Sequence, residues 1–247
     1  MGFVKTLKRK SLKIQNFFLK ELSLKNKNII ISGSNSGIGL ELTKKLLTEN
    51  NILAFVNNET NNLDNLNNFN NLDIIKNNFE KNELEETSLK KINLFKPDIL
   101  INCAASFGPE KQELKDINLK KFKQILNINV FGALQLINES LKSNNLKQIV
   151  NITSEMGSTA NNKVGGYYYY RSSKSLLNSI SKNLSLDLKN DNINVFCIHP
   201  GDVKTKMNSG GLIMPDISAK KIINILSENN SKFSGILIDI NKEIIKW

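Results

Sequence analysis

A glycine-rich turn between an apolar strand and a helix constrains the fold more than any other feature of this sequence. Residues 28–32 form a short apolar run typical of a buried strand, and a helix is predicted over Glu41–Glu49. Between them the glycines have G-x-x-x-G-x-G spacing, which allows a tight turn and close approach of a pyrophosphate to the backbone. The helix N-terminus then supplies amide donors. This order predicts a dinucleotide site lined by Gly33, Asn35, Ser36, Gly37, Ile38 and Gly39.

Short apolar runs and amphipathic segments alternate along the rest of the chain. The pattern predicts further strands at 52–56, 72–79, 98–101, 148–153, 193–198 and 235–240. It predicts further helices at 83–95, 119–141 and 218–226, and one that runs on from Tyr170. The alternation predicts an α/β fold over residues 28–247, with a single Rossmann-type, doubly wound parallel sheet of about seven strands and helices on both faces. The asparagine-rich stretch 57–82 is the least regular part and fits a loop as well as a strand.

The net charge of +11 comes mainly from residues 1–27, which carry eight basic side chains and one acidic side chain. The rest of the chain carries 26 basic and 22 acidic residues, so the domain is nearly balanced and no nucleic-acid partner is expected. The apolar residues of the extension fall on roughly one face of a helix. Such a basic amphipathic segment fits a helix packed on the domain, a flexible arm, a targeting segment or a peripheral membrane contact.

The cysteines and the histidine exclude several kinds of site. Cys103 and Cys197 both lie in apolar runs, which fits buried thiols in a reducing compartment and a cytoplasmic protein. His199 is the only histidine. The sequence therefore predicts no metal site and no histidine-based catalytic triad.

The end of the second strand bears on the choice between NAD and NADP. An acidic residue there binds the adenosine ribose of NAD, whereas a basic residue accommodates the 2′-phosphate of NADP. The strand ends at Asn57-Asn58, which is neither. Because no carboxylate repels a phosphate, NADP is slightly preferred over NAD. Asp73 or Asn78 is expected near the adenine.

Tyr170 and Lys174 lie one helical turn apart and form the strongest candidate catalytic pair. An ammonium close to a phenol stabilises the phenolate, so we expect Lys174 to lower the pKa of Tyr170 toward neutrality. Taken alone, this spacing also fits an ordinary exposed i,i+4 pair. Ser154 stands at the carboxyl end of the fifth strand, where open α/β sheets place their ligands.

Together these segments resemble the short-chain dehydrogenase/reductase family over residues 28–247, and within it the C-factor and sniffer-type carbonyl reductases. The matching motifs, in the family's order, are Ser32–Gly39, Asn102-Cys-Ala-Ala, Asn129-Val-Phe-Gly, Ser154, Tyr170-x-x-x-Lys174 and Pro200-Gly201. Two positions depart from the family's Asn-Asn-Ala-Gly motif, since Cys103 replaces its second Asn and Ala105 its Gly. Asn35-Ser36 also stand where this branch often has an arginine.

The resemblance implies a role for each of these residues. The implied catalytic residues are Asn129, Ser154, Tyr170 and Lys174. Ser154 polarises a carbonyl, Tyr170 gives the proton, Lys174 binds the nicotinamide ribose, and Asn129 holds a water. The implied cofactor-binding residues, besides those of the glycine loop, are Asn57, Asn102, Ala104, Tyr170, Lys174, Pro200, Gly201, Val203 and Thr205.

The substrate and the partners follow less directly. Phe107, Met156, Met207 and Met214 predict an apolar pocket for a small carbonyl or alcohol substrate. The resemblance implies a homodimer or homotetramer that associates through the Asn129 and Tyr170 helices. Two alternatives stay open: an NAD(P)-binding signalling protein of C-factor type with little turnover, and an enzyme held at a membrane by residues 1–27.

Overall fold

One eight-stranded sheet organises the chain, in a computed structural model that describes residues 24–57, 62–66, 68–81, 83–228 and 230–247. The strands run in the order β3-β2-β1-β4-β5-β6-β7-β8; the first seven are parallel and β8 is antiparallel to β7. Their bounds are β1 Asn28–Ser32, β2 Asn51–Val56, β3 Leu72–Lys76, β4 Ile99–Asn102, β5 Gln148–Ile152, β6 Asn194–His199, β7 Leu237–Asp239 and β8 Ile244–Ile245. The order reverses between β1 and β4, and ligands of open α/β sheets bind at such a point.

Six α-helices lie in the described part of the chain and cover both faces of the sheet. They are α1 Gly37–Leu46, α2 Glu86–Phe95, α3 Leu119–Leu126, α4 Gly132–Leu141, α5 Tyr168–Asp187 and α6 Pro215–Leu226. The buried side chains of α1 and α6 pack in one apolar cluster, and those of α2 and α4 pack in a second cluster on the opposite face. The prediction of a doubly wound α/β sheet is confirmed.

Several element bounds differ from those predicted. Helix α1 begins at Gly37, four residues earlier than predicted, because the end of the glycine turn already has helical backbone. The helix predicted over 119–141 is interrupted by a π-helical turn at Asn127–Phe131, which separates α3 from α4. Strand β8 was not predicted, since two residues are too few to give a periodic signal.

The predicted amphipathic extension lies mainly in residues 1–23, outside the described residues, so its structure and its membrane contact stay predictions. The next four residues pack on the domain: the Asn26 N–H donates to the Glu49 carbonyl at 2.8 Å, and the Lys27 N–H donates to Asn50 Oδ1 at 3.0 Å. No helix among the described residues is long and apolar enough to cross a membrane.

Candidate active site

Two adjoining cavities open at the carboxyl ends of the central strands. The glycine-loop cavity, of about 460 Å³, lies between the turn after β1 and the ends of β4 and β5. The Met156 cavity, of about 670 Å³, lies beside it at the ends of β5 and β6. Six residues line both: Ile38, Thr153, Tyr170, Pro200, Thr205 and Met207. The two spaces therefore share a wall that includes Tyr170.

Glycine is required in the turn after β1 by close backbone contacts. A Cβ on Gly33 would lie 2.8 Å from the backbone of Ala104, and Gly33 also has a φ of +74°. A Cβ on Gly39 would lie 2.2 Å from the Gly33 carbonyl oxygen. The first turn of α1 holds no acidic residue, and the side chain of Ser36 makes no capping hydrogen bond. No side chain therefore caps this N-terminus, which suits the binding of phosphate groups.

Most residues predicted to bind a cofactor line the glycine-loop cavity. They are Gly33, Asn35, Ser36, Gly37, Ile38, Gly39, Asn57, Ala104, Tyr170, Lys174, Pro200 and Thr205. Gly201 and Val203 line the Met156 cavity instead. Of the two residues considered for an adenine site, Asn78 lines the glycine-loop cavity, whereas Asp73 does not and faces Lys91 at 3.9 Å.

Asn102 lines neither cavity, although it was predicted to bind cofactor. Its side-chain amide donates to Asn151 Oδ1 at 2.8 Å, and Asn151 in turn donates to Ser181 Oγ at 2.8 Å. These buried bonds join β4, β5 and α5, so Asn102 supports the site by fixing the ends of two strands. Cys103, which follows it, does line the glycine-loop cavity, and burial raises the pKa of its thiol to about 11.

Lys174 is fully enclosed by the protein. Its Nζ donates to the Ile152 carbonyl oxygen at 3.0 Å at the end of β5, and only 2% of the residue is exposed. Burial lowers the pKa of Lys174 to about 8 because an ammonium loses hydration there. The ammonium is therefore fixed at the floor of the glycine-loop cavity and holds its proton weakly for a lysine.

Tyr170 differs from the sequence prediction in the direction of its pKa. Burial raises the pKa of its phenol to about 12, and a hydrogen bond with Ser154 only partly opposes this. The predicted lowering by Lys174 was wrong, because the Lys174 ammonium bonds the Ile152 carbonyl and lies 5.6 Å from the centre of the Tyr170 ring. Desolvation of the phenolate is the largest effect on this pKa. Tyr170 is a protonated phenol throughout the neutral range.

Ser154 is held beside Tyr170 by a short turn. Its Oγ accepts the N–H of Met156 at 3.1 Å and caps the turn Glu155–Gly157. Because this bond uses an acceptor position on the oxygen, the hydroxyl hydrogen is left to donate to Tyr170 or to a ligand. Ser154 lines the Met156 cavity and not the glycine-loop cavity.

Asn129 makes direct contacts within the protein from the π-helical turn. Its amide nitrogen donates to the Ser106 carbonyl and to Ser173 Oγ, both at 2.9 Å, and its Oδ1 accepts the Ser106 N–H at 2.7 Å. These bonds fix the loop after β4 against the helix that carries Tyr170. Asn129 lines neither cavity.

The Met156 cavity is partly apolar, as predicted, but it also has a charged wall. Phe107, Met156 and Met207 line it, whereas Met214 does not. The polar and ionisable lining residues that the sequence reading missed are Glu155, Asn161, Arg171, His199, Asp202 and Asn208. No spacing in the sequence marks them as a group, because they come from two separate loops, the end of strand β6 and one helix.

The described geometry agrees with comparisons to known proteins. The family model for short chain dehydrogenases matches residues 27–211. This chain belongs to that family.

Relatives and solved structures are consistent with this membership. The C-signal protein of Myxococcus xanthus is 30% identical over 154 residues, which is 61% of this chain and 92% of that protein. The chloroplastic NADPH-dependent aldehyde reductase 2 of Arabidopsis thaliana is 31% identical over 117 residues, which is 46% of this chain and 42% of that protein. The carbonyl reductase Sniffer of Drosophila melanogaster superposes with a TM-score of 0.84 at 25% identity, covering 91% of this chain and 100% of that one. The chain is an oxidoreductase of the short-chain dehydrogenase family.

Proposed function

We propose that this protein is an NADP-dependent carbonyl reductase in which Tyr170 is the proton donor. The observation that carries the proposal is the position of Tyr170 in the wall shared by the two cavities. Lys174 lies on the glycine-loop side of this wall and Ser154 on the Met156 side. A cofactor and a substrate in adjoining cavities would thus meet at the phenol.

The glycine-loop cavity fits a nicotinamide dinucleotide. The close contacts at Gly33 and Gly39 leave no room for a side chain at either position. The start of α1 has no side-chain cap, which suits the binding of a pyrophosphate. Asn57 supplies no carboxylate to repel a 2′-phosphate, and the similar Arabidopsis protein is named as NADPH-dependent. These points support NADP over NAD. A bound nicotinamide supplies the hydride for reduction of a carbonyl carbon.

The chain's own groups suit the proton side of that reduction. Ser154 donates a hydrogen bond to the carbonyl oxygen and stabilises the negative charge that develops on it. Tyr170, protonated because its pKa is raised to about 12, gives its proton to that oxygen. Lys174 is held by the Ile152 carbonyl oxygen and offers its other N–H donors to the ribose hydroxyls.

Substrates enter through the Met156 cavity. Phe107, Met156 and Met207 accept an apolar body, which supports an aldehyde, ketone or quinone, and the similar Drosophila protein is named as a carbonyl reductase. The alternative of a signalling protein with little turnover has only the similarity to C-signal in its favour. The intact arrangement of Ser154, Tyr170 and Lys174 supports an enzyme.

Self-association through α3 and α5 is part of the proposal. These helices carry exposed apolar side chains, with Leu119 78% exposed, Leu176 38% and Tyr168 37%. A homodimer or homotetramer would cover them. Light scattering after size-exclusion chromatography would show a multiple of 27.8 kDa, and Leu176→Glu should lower it.

The direct test measures binding and turnover separately. The protein is titrated with NADPH and with NADH by fluorescence, and then assayed with aldehydes, ketones and quinones at the nicotinamide absorbance. We expect tighter binding of NADPH and oxidation of NADPH by at least one carbonyl class. Failure to bind either nucleotide would overturn the proposal.

A further inference from the structure

We infer that Arg171 makes the Met156 cavity selective for carbonyl compounds that carry a carboxylate, so that the substrate is an oxo acid or an acid-bearing aldehyde. This inference rests on the proposed carbonyl reductase function. Arg171 follows Tyr170 on α5, and both side chains line the cavity. Among the described residues around it, Arg171 is the one permanent cation.

The guanidinium of Arg171 is incompletely satisfied. Its Nη1 donates to the Met156 carbonyl oxygen at 3.3 Å, and its buried Nε has no partner. No carboxylate lies within 4.0 Å of it among the residues that the structure describes. A half-buried guanidinium without a counter-ion is costly, and a bound carboxylate would offset that cost with charge-assisted hydrogen bonds.

Neighbouring contacts fix the guanidinium near the reacting groups. Met156 contacts both ends of the site, because its N–H donates to Ser154 Oγ while its carbonyl accepts from Arg171. The Arg171 guanidinium carbon also lies 5.9 Å from the centre of the Tyr167 ring. The backbone of Met156 therefore connects the Ser154 hydroxyl, which would bind the substrate carbonyl, to the Arg171 guanidinium, which would bind the substrate carboxylate.

The apolar part of such a substrate has a matching wall. The Phe107 ring lies 4.9 Å from the Tyr170 ring and 5.7 Å from the Tyr167 ring, measured between centroids. The three rings form a row from Tyr170, the proposed proton donor, to Tyr167, which packs against Arg171. A planar substrate body between the two polar ends fits this row, since aromatic rings favour stacked or edge contacts at these separations.

Two carboxylates also line the cavity, but each already has a donor. Glu155 Oε1 accepts from the Asn161 amide at 3.2 Å, and Asp202 Oδ1 accepts from the Asn208 amide at 2.6 Å. Both residues are largely exposed to solvent, which weakens their repulsion of an anion. His199 also lines the cavity, and burial lowers its pKa, so it adds no positive charge at neutral pH.

The choice of arginine itself supports this role. The chain has 34 basic residues, of which only Arg9 and Arg171 are arginines. Arginine presents a planar pair of donors that matches both oxygens of a carboxylate, which a lysine ammonium does not. The one arginine of the described chain thus lies where such recognition would be used.

The test compares 4-formylbenzoate with its neutral methyl ester at saturating NADPH. We expect wild type to have the higher kcat/KM for the acid, and Arg171→Met to lower the acid-to-ester ratio by about ten- to a hundredfold. The acid-to-ester ratio of Arg171→Lys should fall between the ratios of wild type and Arg171→Met. Lys163→Met removes an exposed cation from the loop before α5 and should leave the ratio unchanged.

Failure of this inference and failure of the reductase proposal are distinguishable. Calorimetric titration of the NADP⁺-bound protein with the same two compounds reports selectivity of binding without turnover, because the oxidised nucleotide has no hydride to give. Acid-selective binding that depends on Arg171, with no turnover, would support the carboxylate site and overturn the reductase. An acid-to-ester ratio that Arg171→Met does not change, or no binding of the acid, would overturn the carboxylate site. Urea unfolding of each variant shows whether it is folded.

Discussion

The Lys174 ammonium nitrogen lies 5.6 Å from the centre of the Tyr170 ring and is bonded to the Ile152 carbonyl oxygen. The lysine therefore lies close to the ring but does not convert the phenol to a phenolate, and we propose that it holds the nicotinamide ribose. This arrangement separates the expected roles of the two residues. We propose that Tyr170 is needed for proton transfer and Lys174 for nucleotide binding.

Tyr170→Phe should lower kcat for carbonyl reduction by about 10²- to 10⁴-fold, because the proposed proton donor is removed. NADPH affinity should change little, since the ring is kept. Tyr168→Phe is the matched control: Tyr168 is 37% exposed and lines neither cavity. Turnover retained in Tyr170→Phe would show that another group gives the proton.

Nucleotide affinity should depend on pH through Lys174. Because its pKa is lowered to about 8, the ammonium loses its proton as the pH rises above that value, and a donor to the ribose is lost. If only the protonated form binds well, affinity for NADPH falls by up to roughly tenfold per pH unit above pH 8. Tyr170, with a pKa of about 12, does not titrate in this range.

Fluorescence titration with NADPH at pH values from 7 to 10 measures this dependence. A Lys174→Met variant should bind more weakly than wild type at pH 7 and show a flatter profile. Affinity for NADPH that stays constant in wild type over the whole range would contradict the role given to the Lys174 ammonium.

Gly39→Ala should abolish nucleotide binding and destabilise the protein by about 1–3 kcal/mol, since the new methyl group would overlap the Gly33 carbonyl oxygen. Gly210→Ala provides the control, because nothing lies within 4 Å of a Cβ built there. NADPH titration and urea unfolding measure the two effects. Normal NADPH affinity in Gly39→Ala would mean that this close approach is not part of the nucleotide site.

Ser158→Ala should raise KM for the carbonyl substrate while leaving NADPH affinity unchanged. Ser158 Oγ donates to the Lys246 carbonyl oxygen and accepts the Asn161 N–H at 3.1 Å, so it connects the tail after β8 to a residue of the Met156 cavity. Loss of these bonds is worth about 1–2 kcal/mol, or roughly a five- to thirtyfold rise in KM if it all appears in binding.

Steady-state kinetics with saturating NADPH would detect this rise. Ser179→Ala, an exposed serine on α5, should behave as wild type. If Ser158→Ala lowered kcat and left KM unchanged, the substitution would be acting through the position of Ser154 and not through the wall of the Met156 cavity.

The sequence by itself determined the fold and most of the glycine-loop cavity. Both depend on local order, namely strand, glycine turn and helix, and on apolar runs of a length that only buried parallel strands require. Gly33, Gly37 and Gly39 were recognisable for this reason. The short β8 and the π-helical turn at Asn127–Phe131 were not, because neither has a periodic pattern of its own.

Only the tertiary structure decided what the catalytic groups experience and what surrounds the substrate. Sequence spacing placed Lys174 beside Tyr170, but burial at the end of β5 determines that the Tyr170 pKa rises. Arg171 and Asp202 are far apart in the chain and meet in one cavity because β5 and β6 are neighbours. Desolvation and long-range contacts depend on the whole packed chain, so no local pattern records them.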